Sequence, residues 1–109
     1  MKQAIWISYD LGVRGDCEGM YAWLDEHGAL ECGDSLALVH DEFTGQPISA
    51  LQQDLQRAVE VTRKTRMYVI WRDAPTGKMK GRFIFGNRKA APWTGYAVGE
   101  EEVLEDVEI

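Results

Sequence analysis

The chain has 109 residues, a mass of 12.3 kDa and a formal net charge of -6. This length fits one domain with a single core and is too short for separate cofactor and substrate domains. A hydrophobic fraction of 45% with four tryptophans excludes a disordered chain, and no apolar run approaches the roughly 20 residues of a membrane span.

The chain opens with a strand-like run and shows no apolar signal segment, which predicts a cytoplasmic protein without a membrane partner. Cys17 and Cys32 lack the spacing of zinc ligands, so we expect two reduced thiols. His27 and His40 are isolated in the sequence. The residues themselves therefore predict no cofactor.

The first predicted elements are a strand and a helix. Residues 4–10 are rich in β-branched and aromatic side chains, which predicts a central strand buried on both faces. Asp16 is a candidate N-cap for a helix with apolar residues at helical spacing as far as His27, and Gly28 is its stop signal.

A second strand and a second helix follow. Residues 36–39 (LALV) predict the strand. The S-x-x-Q pattern from Ser49 to Gln52 predicts a capping box at the start of the helix. One face of that helix collects the apolar side chains Ile48, Leu51, Leu55, Ala58 and Val59.

The last part of the chain predicts a hairpin. Residues 67–71 read as a buried strand, and the turn-forming residues 73–77 lead into a return strand. Alternation puts Met79, Gly81, Phe83 and Phe85 on one face and Lys78, Lys80, Arg82 and Ile84 on the other. We expect Phe83 and Phe85 to face the core, and residues 93–98 to form a final short strand.

This order of elements predicts an α+β protein. The natural solution is a ferredoxin-like βαββαβ sandwich with two helices on one face of a mainly antiparallel sheet, plus a C-terminal hairpin extension. One strand of the first half is not evident as a separate run, and we place it within residues 36–43. Residues 1–99 are predicted to form the domain and residues 100–109 an acidic C-terminal tail.

Charge is unevenly distributed along the chain. Residues 57–89 contain ten basic and two acidic residues, a net charge of +8, so the remainder carries -14. This polarity predicts either a basic surface for an anionic partner or complementarity between the protein's own segments. The candidate nucleic-acid-binding residues are Lys78, Lys80, Arg82, Arg88, Lys89 and Trp93, with a solvated basic edge strand as the alternative.

The stretch IWISYDLGVRGDCEGMYAWLDEHG, followed by SLALV, resembles the small ferredoxin-like proteins related to CRISPR-associated protein two and their stand-alone bacterial and phage relatives. The resemblance covers residues 4–40 by motif and residues 48–73 by order of elements. It implies a homodimer in which Asp10, paired with its copy, would hold magnesium or manganese and act catalytically in members that are nucleases. The alternative is that Asp10 caps the loop that follows it.

Three functions follow from these observations. The first is a small non-catalytic dimeric interaction module that acts through its strand edge and acidic tail. The second is a nucleic-acid-binding protein, or a metal-dependent nuclease, that uses the basic hairpin and Asp10. The third is an acidic inhibitor or decoy of a nucleic-acid-processing enzyme.

Overall fold

A computed structural model of the chain describes residues 2–42 and 46–98. Within these residues, five strands and two helices follow in the order β-α-β-β-α-β-β, and a 3₁₀ turn follows β5. Their bounds are β1 Gln3–Asp10, α1 Cys17–Glu26, β2 Leu30–Glu31, β3 Leu36–Asp41, α2 Pro47–Ala58, β4 Arg66–Arg72, β5 Met79–Phe85 and the turn Tyr96–Val98. The predicted tail, residues 100–109, lies outside the described residues.

The strands form one antiparallel sheet in the order β2-β3-β1-β4-β5. The α+β class is confirmed, and the arrangement is compatible with a ferredoxin-like fold. β1 is central, as predicted, because it pairs with β3 on one side and β4 on the other. Among the described residues, no helix has the length and apolarity needed to cross a membrane.

The core lies on one face of the sheet. Ile5 and Ile7 of β1 are fully buried, and they share a cluster with Trp23 of α1 and Leu55 of α2. The prediction that β1 is buried on both faces was wrong, because Trp6 between Ile5 and Ile7 points away from the core and is only half-buried, and Ser8 on the same side is exposed. The sheet therefore has a second face, here called the outer face.

Helix α1 begins as the sequence predicted. The Asp16 carboxylate accepts a 2.9 Å hydrogen bond from the Gly19 backbone N–H and a 3.0 Å bond from that of Glu60. These two bonds hold the pKa of Asp16 below its usual value, the bond from Glu60 contributing most. One carboxylate thus caps α1 and fixes the segment that follows α2.

Helix α2 begins two residues before the predicted capping box. Pro47 occupies the first turn, and Gln46 is the N-cap residue without a side-chain cap hydrogen bond. The φ angle of proline suits the first helical turn, where its missing N–H has no helical partner to lose. The capping role predicted for Ser49 was therefore wrong, although the predicted apolar face is buried at Ile48, Leu51 and Leu55.

The strand that was not evident as a separate run lies before residue 36, so the prediction that placed it within residues 36–43 was wrong. It is β2, only two residues long, and Leu30 and Glu31 pair with Leu38 and Ala37 of β3. So short a strand has no measurable alternation of polar and apolar residues, so the sequence pattern could not reveal it.

The hairpin of β4 and β5 is confirmed, but its ladder contains a β-bulge. Met67 pairs with Phe85 and the next residue, Tyr68, pairs with Phe83, so Ile84 is the extra residue. Ile84 and Phe85 are both buried, whereas Phe83 lies beside Tyr68 on the outer face. The prediction that Phe83 faces the core was wrong because the bulge shifts the alternation. Residues 96–98 form a 3₁₀ turn in place of the predicted final strand.

Candidate interaction surface

The centre of the outer face is a row of apolar residues that crosses the sheet. Leu30, Leu38, Trp6, Ile70 and Gly81 are successive cross-strand partners and therefore point to the same side. Leu30 retains 55% of its surface and Ile70 40%, and Met79 on the same face retains 57%. The half-buried Leu38 and Trp6 lie between Leu30 and Ile70, so the apolar row is continuous across four strands. A continuous apolar row of this kind is unusual for a surface without a partner.

A second row contains a pair of aromatic rings. Tyr68 and Phe83 pack edge to face with their centroids 4.9 Å apart. The guanidinium of Arg88 lies 5.6 Å from the Tyr68 centroid and 5.5 Å from that of Phe83, while Arg66 lies 5.3 Å from Phe83. Both arginines are at cation–π distance, so this part of the outer face combines aromatic surface with positive charge.

Gly81 is required by the position of the Tyr68 side chain. A Cβ atom at residue 81 would lie 2.6 Å from the Tyr68 hydroxyl oxygen and 2.8 Å from a ring carbon. The phenol therefore extends across the strand at Gly81, which brings aromatic surface next to Ile70. The aliphatic row and the aromatic pair form one continuous surface.

Asp10 takes the position that its loop-capping interpretation predicts. Its carboxylate accepts a 3.1 Å hydrogen bond from the Gly12 backbone N–H and lies 3.8 Å from an Arg66 guanidinium nitrogen. Over residues 2–42 and 46–98, no group of three or more His, Cys, Asp or Glu side chains could hold a metal ion. Metal binding by Asp10 paired with its copy in a dimer therefore stays a prediction.

The six predicted nucleic-acid-binding residues do not form a single patch. Lys80 and Arg82 pair with Trp71 and Val69, which places them on the core side of the sheet. Arg88 lies over the rings of the outer face, whereas Lys78 belongs to the hairpin turn. Lys89 is exposed, and Trp93 is 72% exposed in a turn that follows β5.

The sequence pattern did not predict an apolar outer face, whose residues are Leu30, Leu38, Trp6, Ile70 and Met79. The position of Trp6 on the outer face could have been predicted from the sequence. Ser8, two positions later and therefore on the same side of β1, is polar, which indicates that this side lies opposite the core. Leu30 could not be assigned without knowledge of β2. The surface is therefore a product of the strand order more than of any local motif.

No protein-family model, curated protein or solved structure matches this chain. The resemblance to the relatives of CRISPR-associated protein two accordingly remains a prediction.

Proposed function

We propose that the protein is a small non-catalytic interaction module of the ferredoxin-like type that forms a homodimer through its outer face. The fold assignment is supported by the first six elements, whose βαββαβ order and β2-β3-β1-β4 strand order match a split βαβ arrangement, with β5 as a hairpin extension. The observation that carries the proposal is the apolar row Leu30, Leu38, Trp6 and Ile70, which is exposed at Leu30 and Ile70 and half-buried between them.

Self-association is favoured at the outer face over the strand edge. A two-fold pairing of β5 edges would bring Lys80 and Arg82 of one copy close to the same residues of the other, and like charges opposite each other are destabilising. The central row of the outer face contains no charged side chain. Two outer faces packed together would remove its leucine, isoleucine and tryptophan side chains from water.

The β5 edge remains free for a second partner in such a dimer. β5 pairs with β4 on one side, and within the described part of the chain no strand covers its other side. An extended segment that adds to this edge would meet Lys80 and Arg82, which favours an acidic partner. In this proposal the acidic tail, residues 100–109, helps to recruit a protein partner. The tail lies outside the described residues.

Analytical ultracentrifugation over a hundredfold range of concentration tests the dimer. We expect a reversible monomer–dimer equilibrium, and Ile70→Asp should weaken it by about thirtyfold or more because a carboxylate would be buried at the interface. Tyr21→Asp is the matched control, since Tyr21 is an exposed aromatic residue of α1. A monomer at every concentration, or equal effects of the two variants, would contradict the proposal.

A nucleic-acid-binding function is the second candidate, and the cluster of Arg66, Arg88, Tyr68 and Phe83 favours it. Rings that stack on bases and guanidinium groups that contact phosphates are the elements of single-strand recognition. The test is binding of a labelled single strand at two salt concentrations. Arg88→Gln should reduce affinity and the salt slope, while Arg63→Gln, at an exposed cation before β4, should have a smaller effect.

Nucleic-acid binding and dimerisation would both use the outer face, so they make opposite predictions about the mass of the complex. If the single-stranded nucleic acid occupies this face, a saturating amount of it converts the dimer to a monomer. If it binds elsewhere, the dimer persists in the complex, and the second candidate loses the observation that favours it.

A further inference from the structure

A groove of about 1030 Å³ lies on the core side of the sheet, where β4 leads into the hairpin turn. Pro47 and Ile48 of the first turn of α2 line one side of it, and Trp71 and Pro75 also line it. Polar groups come from Gln3, Gln46, Asp73, Lys80 and Arg82. Apolar walls with a few convergent polar side chains are typical of small-molecule sites.

The sheet register places an aromatic ring beside two cations in this groove. Lys80 is the direct cross-strand partner of Trp71, and Arg82 is the next residue of β5 on the same side. Trp71 is half-buried and packs against the core, so one part of the indole is fixed while another part faces the groove. A planar ligand with an anionic group matches this combination.

The two cations differ in availability. Lys80 lies 3.5 Å from the Asp73 carboxylate, which also accepts a 2.7 Å hydrogen bond from the Thr76 hydroxyl. That hydrogen bond, followed by the charge of Lys80, holds the pKa of Asp73 below its usual value, so the carboxylate is ionised at neutral pH. Within the described part of the chain Arg82 makes no ion pair, and its exposed guanidinium is the group free to bind an anion.

We propose that this groove binds a free mononucleotide. The base stacks on the Trp71 indole, the phosphate binds Arg82 with Lys80 as a second cation, and the amides of Gln3 and Gln46 supply donors and acceptors for the base edge. The site is on the opposite side of the sheet from the outer face. It therefore does not rest on the proposed dimer, and either proposal can fail without the other.

The test is a titration of the full chain with AMP, followed by nitrogen–proton correlation NMR. We expect the NMR signals of the Trp71 indole N–H and of the backbone amides of Lys80 and Arg82 to shift as AMP is added. These shifts should approach saturation by about 5 mM AMP. Adenosine and inorganic phosphate, titrated separately, should each bind more weakly than AMP because each offers only one half of the recognition.

Three variants assign the interaction to the groove. Arg82→Gln should weaken AMP binding by about tenfold through loss of a charged hydrogen bond, whereas Arg63→Gln, before the opposite end of β4, should leave it unchanged. Asp73→Asn should tighten binding about two- to fivefold, since it removes the competing charge beside Lys80 and keeps an oxygen for the Thr76 hydroxyl.

Several results would overturn the proposal. One is the absence of saturable shifts at Trp71 with AMP. Another is equal weakening by Arg82→Gln and Arg63→Gln. A third is tighter binding of a ten-nucleotide single strand than of AMP at the same residues, because the site would then belong to a polymer and not to a free nucleotide.

Discussion

The indole nitrogen of Trp23 donates a 2.8 Å hydrogen bond to the carboxylate of Asp54, which joins α1 to α2. The His27 ring stacks on Trp23 with centroids 4.0 Å apart, and its Nε2 lies 3.4 Å from Asp54. Arg57 contacts the same carboxylate at 3.3 Å. Trp23 is almost completely buried. One acidic side chain thus satisfies the single donor of a core tryptophan, which would otherwise be buried without a partner.

This relationship predicts a pH-dependent loss of stability at acid pH. The hydrogen bond from Trp23, with smaller effects of Arg57 and His27, holds the pKa of Asp54 below its usual value against the opposing effect of burial. The contribution of Asp54 is therefore present above the pKa of the unfolded chain and is lost as pH falls through the lower folded value. Asp54→Asn should show a smaller decrease in unfolding free energy between pH 7 and pH 3 than the wild type.

Urea unfolding at the two pH values measures this difference, and the comparison within each protein removes any constant cost of the substitution. Parallel decreases in the two proteins would mean that other carboxylates cause the acid sensitivity.

Trp23→Phe removes the donor and part of the buried volume, so it should cost about 1–3 kcal/mol at neutral pH.

The double capping by Asp16 predicts that its carboxylate matters more than a surface position would suggest. Asp16→Ala should lower the melting temperature by about 5 °C, because both the Gly19 and Glu60 N–H groups lose their acceptor. Asp16→Asn should stay closer to the wild type at neutral pH because the amide oxygen still accepts hydrogen bonds. Differential scanning calorimetry measures both, and an Ala variant equal to Asn would argue against the capping role.

Gly86 should tolerate substitution less well than another glycine of similar backbone conformation. Its φ is +75°, and a Cβ atom would lie 2.7 Å from the Thr65 carbonyl oxygen. Gly28 has a φ of +61° and open space around the same position. We expect Gly86→Ala to cost about 2 kcal/mol or more and Gly28→Ala about 1 kcal/mol, measured by urea unfolding. Equal costs would show that the Thr65 carbonyl moves away from the added Cβ atom at little energetic cost.

Gln52 should stabilise the bulged end of β5. Its side-chain nitrogen donates a 2.8 Å hydrogen bond to the backbone carbonyl of Ile84. Gln52→Ala should cost about 1 kcal/mol and speed amide hydrogen exchange at Ile84 and Phe85. Gln53→Ala, at the adjacent exposed position, should be neutral or slightly stabilising because alanine favours helix. Similar exchange rates in both variants would mean that the Gln52 hydrogen bond does not stabilise the bulge.

The sequence predicted the elements whose signal is local and repeated. The β-branched run of β1, the cap and spacing of α1, and the strand–turn–strand pattern of the hairpin all correspond to observed elements. The apolar face of α2 was also correct except at Ala58, which is exposed, and the predicted start of the helix was wrong. These features depend on periodicity over many residues, and one misplaced residue does not remove the signal.

The features that were missed depend on contacts between distant segments. The two residues of β2 become a strand only because β3 pairs with them, and the outer face exists only because four strands place Leu30, Leu38, Trp6 and Ile70 side by side. The groove has the same origin, since Trp71 and Arg82 are separated by a turn in the sequence. No local pattern encodes such neighbours.

The β-bulge at Ile84 has a consequence for how this chain could vary by insertion and deletion. Loss of that single residue would leave a regular ladder in which Phe83 still pairs with Tyr68 and Lys80 with Trp71. The rings would stay on the outer face and the cations in the groove, while one core position would be emptied. The two surfaces of β5 could therefore be inherited together across a length change that ordinarily exchanges the faces of a strand.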